Sequence, residues 1–198
     1  MTPLILASAS RTRARLLSAA GVTFEIAPAA TDEEALKADW LRKDYTAIDM
    51  ARGLAEEKAK SAGAAWVGRI VLGCDQVLVL DGELISKCNT QNGALLLLRR
   101  LRGRAHELVT AAVLALDRQI IWRHVDCSRL TMRDFSDAFL DEYVSRSALA
   151  ITRCVGCYEL EGPGIQLFSR VDGDFFSILG LPLLPLLGEL RRLGLLKT

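Results

Sequence analysis

The stretch Ile70 to Leu80 reads IVLGCDQVLVL, a near-continuous β-rich run broken by one carboxylate, and Asp81-Gly82 follows it at once. A run of this kind is a buried strand, and an Asp-Gly pair between apolar segments signals a tight hairpin. Glu83 to Ser86 is therefore the returning strand. Around this hairpin, strand-like and helix-like segments alternate. Leu4 to Ala7 reads as a short buried strand, and Ser10 caps a helix from Arg11 to Ala20 that Gly21 ends. Thr46 to Ala62 places Ile48, Ala51, Ala55, Ala59 and Ala62 at three- and four-residue spacings, an amphipathic helix stopped by Gly63. Thr90 to Leu101 reads as a helix ending at Gly103. His106 to Leu116 and Gln119 to Val125 read as strands joined at Asp117-Arg118, and Ser136 caps a helix to about Arg146. The tail holds Gln166 to Val171, a turn at Asp172-Gly173-Asp174, Phe175 to Leu179, and a last helix from Pro182 to Leu193 closed by Gly194. This alternation predicts an α/β protein with a mixed sheet. No repeat or low-complexity linker divides the chain, so residues 1–198 are expected to form a single domain.

The balance of charge narrows the function. Lys and Arg number 25 against 24 Asp and Glu, a net charge of +1. A general nucleic-acid binder carries a basic excess, because neutralising phosphates supplies its affinity. An anionic ligand here must instead be met by a few placed cations. Mean hydropathy is +0.22, yet no run approaches the roughly 20 apolar residues of a spanning helix. The richest stretch, Ile178 to Leu187, is cut by Gly180, Pro182 and Pro185. Leu4 to Ala7 is too short for a signal sequence and has no basic residue before it. Five cysteines in a chain of 198 residues fit reduced thiols and a cytoplasmic location better than a disulfide framework.

Several residues stand out chemically. Ser8-Ala9-Ser10-Arg11-Thr12-Arg13 joins a strand to a helix. Free backbone N–H groups, two hydroxyls and the helix dipole make such a junction a phosphate cradle, to which Arg13 adds a forked donor; a capped helix with solvated arginines is the plainer alternative. Asp75 sits inside the apolar run, where burying a charge costs several kcal/mol unless it is paired or metal-bound. It is either functional or a strand-end carboxylate turned to solvent. Asp32-Glu33-Glu34 taken alone reads as a solvated loop, and Lys58 and Lys87 as solvent-facing lysines. Cys154-Val155-Gly156-Cys157 lacks the second ligand pair that zinc wants, and neither His106 nor His124 has a metal-like spacing to it. Glu159 to Gly164 is a glycine-rich turn bearing acids.

In this order the segments resemble the Maf family of nucleoside triphosphate pyrophosphatases over nearly the whole chain. Leu4 to Ser10 with Arg13 and Leu16-Leu17 is similar to its opening phosphate motif, Asp32-Glu33 to its acidic pair, and Leu54 to Ala59 to its central helix motif. Leu72 to Asp75 with Asp81-Gly82 and Lys87 resembles its catalytic strand and hairpin. Leu101-Arg102-Gly103, His106 and Val109-Thr110 match the next block, and Gly173-Asp174 with Gly180 to Leu183 the last. The resemblance implies an elongated mixed sheet with flanking helices, in two lobes around a cleft, of the kind shared with inosine triphosphate pyrophosphatases. It implies attack of water at the α-phosphorus, releasing a nucleoside monophosphate and pyrophosphate, with a divalent cation, magnesium or manganese, as cofactor. Asp75 is the implied general base, and Glu33 and Asp75 the metal ligands. Ser8, Ser10, Arg13, Lys58, Gln76, Lys87 and Glu161 are the implied substrate-binding residues. The partners expected are the triphosphate alone, without nucleic acid or membrane; a homodimer stays open.

The chain departs from the family pattern in three places. Arg11-Thr12-Arg13 stands where the family has Pro-Arg-Arg, Cys88 where a proline follows the lysine, and Ser147 to Arg153 lacks the usual acidic and lysine pattern. Gln76 and Glu161 occupy positions where members acting on thymidine or uridine triphosphate carry Thr and Gln, and the pair is similar to the subgroup acting on 7-methylguanosine triphosphate. Guanine presents N1–H and N2–H2 side by side, and a carboxylate accepts both, whereas uracil and thymine offer one N3–H between two carbonyls. The subgroup's aromatic residue near Thr12 is absent here. Two alternatives remain: a pyrimidine-directed pyrophosphatase, or a catalytically weak nucleotide-binding regulator of cell division.

Overall fold

The structure is a computed structural model and describes residues 3–147, 151 and 154–197. Strand β1 (Leu4–Leu6) is fully buried and pairs in parallel with β2 (Phe24–Ile26) on one side and β3 (Ile70–Leu80) on the other. Helix α1 (Arg11–Ala19) follows β1, capped by Ser10, whose hydroxyl accepts from the Arg13 N–H. Asp32 caps α2 (Glu33–Leu41) by accepting from the Ala35 N–H at 3.0 Å. This helix was not expected from the sequence. It buries none of its residues, so it has no apolar stripe for a periodicity to reveal.

Helix α3 (Ala47–Gly63) starts in a reciprocal capping box between Thr46 and Asp49. Its buried face is Met50, Ala51, Leu54, Ala55, Lys58, Ala59 and Ala62. Ile48, counted on that face from its spacing, is exposed instead. After β3, the Asp81-Gly82 turn leads to β4 (Glu83–Ile85), antiparallel to β3 as the hairpin signal predicts. Helix α4 (Gln91–Leu101) is capped by Thr90 and packs on α5 (Asp137–Arg146), capped by Ser136.

Strands β5 (Ala105–Leu116) and β6 (Gln119–Met132) meet at Asp117-Arg118, both with positive φ. Strand β6 runs past the expected end at Val125 because Arg129 to Met132 pair antiparallel with β7 (Phe168–Asp172). A 3-10 turn (Pro163–Leu167) precedes β7, and a helical turn (Phe175–Ile178) and the C-terminal helix (Leu183–Arg192) follow it. Among the described residues seven strands form one mixed sheet in the order β2-β1-β3-β5-β6-β7, with β4 on β3.

The chain divides into two compact units, one of Met1–Gln76, Thr110–Asp126 and Asp174–Thr198, the other of Val77–Val109 and Cys127–Gly173. In the first, Leu4, Leu6, Leu17, Leu72, Leu114, Leu186 and Leu190 make the apolar core that fixes β1, β3 and the C-terminal helix. Each such leucine contributes roughly 1.5–3 kcal/mol on burial. Among the described residues no helix is long and apolar enough to cross a membrane. Residues 148–150 and 152–153, most of the Ser147 to Arg153 departure, lie outside the described residues.

Candidate active site

The β1–α1 junction is tied together by Ser8, whose hydroxyl accepts from the Ser10 N–H at 3.2 Å and from Arg13 Nη1 at 3.1 Å. Arg13 Nε donates to the Gly180 carbonyl at 2.7 Å. Two of the five guanidinium donors are thus committed, which fixes the fork over the junction. Gly180 has φ +99 and a Cβ there would stand 3.5 Å from Arg13 Nε, so the left-handed conformation glycine allows is what aims its carbonyl. Ser8, Ser10 and Arg13 are thus brought together at the junction.

Asp75 lies in the middle of β3, 6% exposed, not at a strand end. Its Oδ1 accepts from Lys58 Nζ at 2.5 Å, and the same ammonium reaches Glu33 Oε1 at 2.9 Å. Lys58 is 9% exposed, contrary to its reading as a solvent-facing lysine. Gly73 explains why. A Cβ at Gly73 would lie 2.1 Å from the Ala55 carbonyl and 2.8 Å from the Ala59 N, so the missing side chain lets α3 come down onto β3. Asp75, two residues on, shares that face of the strand and meets Lys58 on the same helix. Burial raises the Asp75 pKa, opposed chiefly by the charges of Lys58 and Arg13. The guanidinium of the cradle is therefore felt at the carboxylate.

The acidic triplet divides its work: Asp32 caps α2, Glu34 pairs with Lys37, and Glu33 alone turns to Lys58. Two carboxylates that share one ammonium can share one hard cation. Among the described residues no third histidine, cysteine or acid joins them. That donor set suits magnesium or manganese, which take few protein carboxylates and complete their shell with water and phosphate oxygens.

Gln76, beside Asp75, gives its amide N–H groups to Thr110 Oγ1 at 2.8 Å and to the carbonyls of Ser177 and Ile178 at 3.0 and 3.1 Å. Thr110 donates to the Ser177 carbonyl as well, at 2.9 Å. The Ser177 hydroxyl donates to Asp126 Oδ2 at 2.5 Å and its N–H to Asp174 Oδ1 at 2.8 Å, while His124 meets Asp126 Oδ1 at 3.0 Å. This network anchors the turn that ends at Gly180 and hence Arg13. Thr110 was noted only as part of a block that matches the family, and Asp126 and Ser177 were not singled out from the sequence, since a polar residue in a strand carries no mark of its partner.

Lys87 and Glu161 belong to the second unit. Both are exposed, Lys87 just past β4 and Glu161 in the turn before the 3-10 segment. Lys87 enters no ion pair with a described residue. Cys157 is buried, its thiol meets the side chain and backbone of Cys88, and burial pushes its pKa up. The residue after Lys87 thus touches the segment that leads to Glu161.

Known proteins match this chain closely. The family model described as Maf-like protein matches residues 3–193. A Caulobacter vibrioides protein named nucleoside triphosphate pyrophosphatase is 46% identical over 99% of this chain and 98% of its own. A Roseobacter denitrificans protein of the same name is 48% identical over 97% and 96%. A Brucella abortus protein named 7-methyl-GTP pyrophosphatase is 44% identical over 96% and 95%. With the cradle at Ser8 to Arg13 and the Glu33–Lys58–Asp75 cluster formed by the segments that carry the resemblance, the chain belongs to the Maf family.

Proposed function

We propose that this chain hydrolyses a nucleoside triphosphate to its monophosphate and pyrophosphate by attack of water at the α-phosphorus. The observation that carries the reading is the buried Lys58 shared between Asp75 and Glu33, whose pairing answers the question a charge inside an apolar strand poses. Relatives named for this activity, alike over nearly their whole length, support it. Arg13 and the N–H groups after β1 bind phosphate oxygens, and Lys87 adds a charge. Asp75 accepts a hydrogen bond from the attacking water and takes its proton, while Lys58 keeps the carboxylate oriented. A divalent cation, magnesium or manganese, held by Glu33 and Asp75, would neutralise phosphate charge and polarise the reacting group.

The base is a guanine, 7-methylated for preference. Glu161 supplies the carboxylate that accepts N1–H and N2–H2, and one of the relatives carries that substrate in its name. Gln76, the other residue that marks the likeness to the 7-methylguanosine subgroup, holds the turn at Ser177 and Ile178. The reaction takes place on a free nucleotide in the cytoplasm.

Pyrophosphate release across 7-methylguanosine, guanosine, uridine and thymidine triphosphates, with magnesium, manganese or chelator, tests both levels. Turnover that needs the cation and ranks the methylated guanine first is expected. A uridine or thymidine preference overturns the guanine assignment, and no turnover on any triphosphate overturns the enzyme.

A further inference from the structure

The turn bearing Glu161 is built on a buried tyrosine. Tyr158 is 5% exposed, and its hydroxyl lies 2.7 Å from Nε2 of His106, itself 2% exposed. Phe168 meets the Tyr158 ring edge-on at 4.8 Å. Two glycines close on the same residue. A Cβ at Gly156 would fall 2.3 Å from the ring, and one at Gly164 would fall 2.5 Å from the Glu159 carbonyl and 3.1 Å from Tyr158 Cβ. The Gly162 N–H closes the turn on the Glu159 carbonyl at 3.2 Å. Upstream, Tyr143 donates to the Cys157 carbonyl at 3.1 Å.

His106 Nδ1 has no hydrogen-bond partner among the described residues, so the imidazole's one polar contact is the tyrosine hydroxyl. Burial lowers its pKa to about 4 and keeps the ring neutral. A buried polar group with a single partner fixes that partner's position, because leaving it unmatched is costly. Every polar and steric constraint on Tyr158 therefore bears on the backbone three residues before Glu161.

We propose that Tyr158 and His106 are positioning residues for nucleobase selection, acting through the turn that presents Glu161. This rests on the reading of Glu161 as the guanine acceptor. A carboxylate must face two donors on one edge of the base, and a turn pinned at both ends holds it there without ordering cost on binding.

The experiment compares kcat/KM for 7-methylguanosine and uridine triphosphates in wild type, Tyr158→Phe, Glu161→Gln and the double variant. Tyr158→Phe is expected to lower the guanine-to-uridine ratio about 2- to 10-fold, the span of one net hydrogen bond. In the Glu161→Gln background it is expected to change that ratio no further. His106→Gln, which keeps a partner for the hydroxyl, retains the ratio, whereas His106→Leu loses it. If Glu161→Gln lowers the ratio and Tyr158→Phe does not, the positioning role is overturned and the guanine reading stands. If Glu161→Gln leaves the ratio unchanged, the guanine reading falls and takes the proposal with it. An equal loss on both substrates in Tyr158→Phe overturns the proposal in favour of a structural role. Should Tyr158→Phe not fold, the His106→Leu and His106→Gln pair is read by the same criteria.

Discussion

Lys58 and Asp75 form a buried ion pair, Nζ to Oδ1 at 2.5 Å, with side chains only 11% and 8% exposed. Desolvating two charges offsets most of their attraction, so such a pair is a weak device for stability, yet removing one partner leaves an uncompensated buried charge at a cost of about 3–5 kcal/mol. Here the ammonium also holds the half-buried Glu33, which keeps a second carboxylate beside Asp75.

Asp75→Asn is expected to cut pyrophosphate release by at least about 100-fold while the protein still folds, since Lys58 keeps Glu33 as its counter-charge. Turnover and a thermal melt on the same preparation check this. Activity within a few-fold of wild type at unchanged stability would remove Asp75 from the base role.

Gly73→Ala is expected to destabilise the protein by at least about 2 kcal/mol, because the new methyl meets backbone of α3 rather than a movable side chain. Turnover should fall with it, as the helix carries Lys58 away from Asp75. Urea unfolding midpoints give the first quantity. A variant as stable as wild type would mean that the strand and helix have room to part.

His106 gives stability a defined pH dependence. Its folded pKa is near 4 because of burial, below the ordinary 6.5, so the unfolded chain takes up a proton first as pH falls. Its contribution is complete above about 6.5, declines through the interval, and is lost below about 4, a total of about 3 kcal/mol. Urea unfolding of wild type and His106→Gln at several pH values between 7.5 and 4 should show the difference between them shrinking toward acid. A constant difference would contradict the assignment.

Ser177→Ala removes the donor that Asp126 accepts at 2.5 Å and leaves a carboxylate without it, which costs roughly 1–3 kcal/mol. Because the same turn ends at the Gly180 carbonyl that holds Arg13, KM for the triphosphate should rise more than kcat falls. Steady-state kinetics decide it. A loss confined to kcat would place the network with the chemistry rather than with phosphate binding.

The sequence by itself determined most of the local elements and their order, though not β2 or α2. Ser10 and Ser136 cap the helices expected of them, and Thr46 and Thr90, the first residues of two expected helices, carry the same short hydroxyl side chains that satisfy helix N–H groups. Asp81-Gly82 set the hairpin because a turn of that kind needs residues tolerant of positive φ. Asp75 was conspicuous for its charge in an apolar strand. The tertiary structure decided what those residues face. Lys58 looks like any helical lysine until Gly73 lets α3 settle on β3, and only then is it buried against Asp75. Glu33, the middle of three consecutive acids, is distinguished from its neighbours by where α2 lies and not by its own chemistry. Helix α2 itself left no periodic trace, since it buries nothing. The bonds from Gln76 to Ser177 and from Ser177 to Asp126 join residues far apart in the chain, and hydrogen bonding between polar side chains has no sequence period. Caps and turns are settled by neighbours within a few residues, whereas burial and pairing depend on which distant segment arrives opposite.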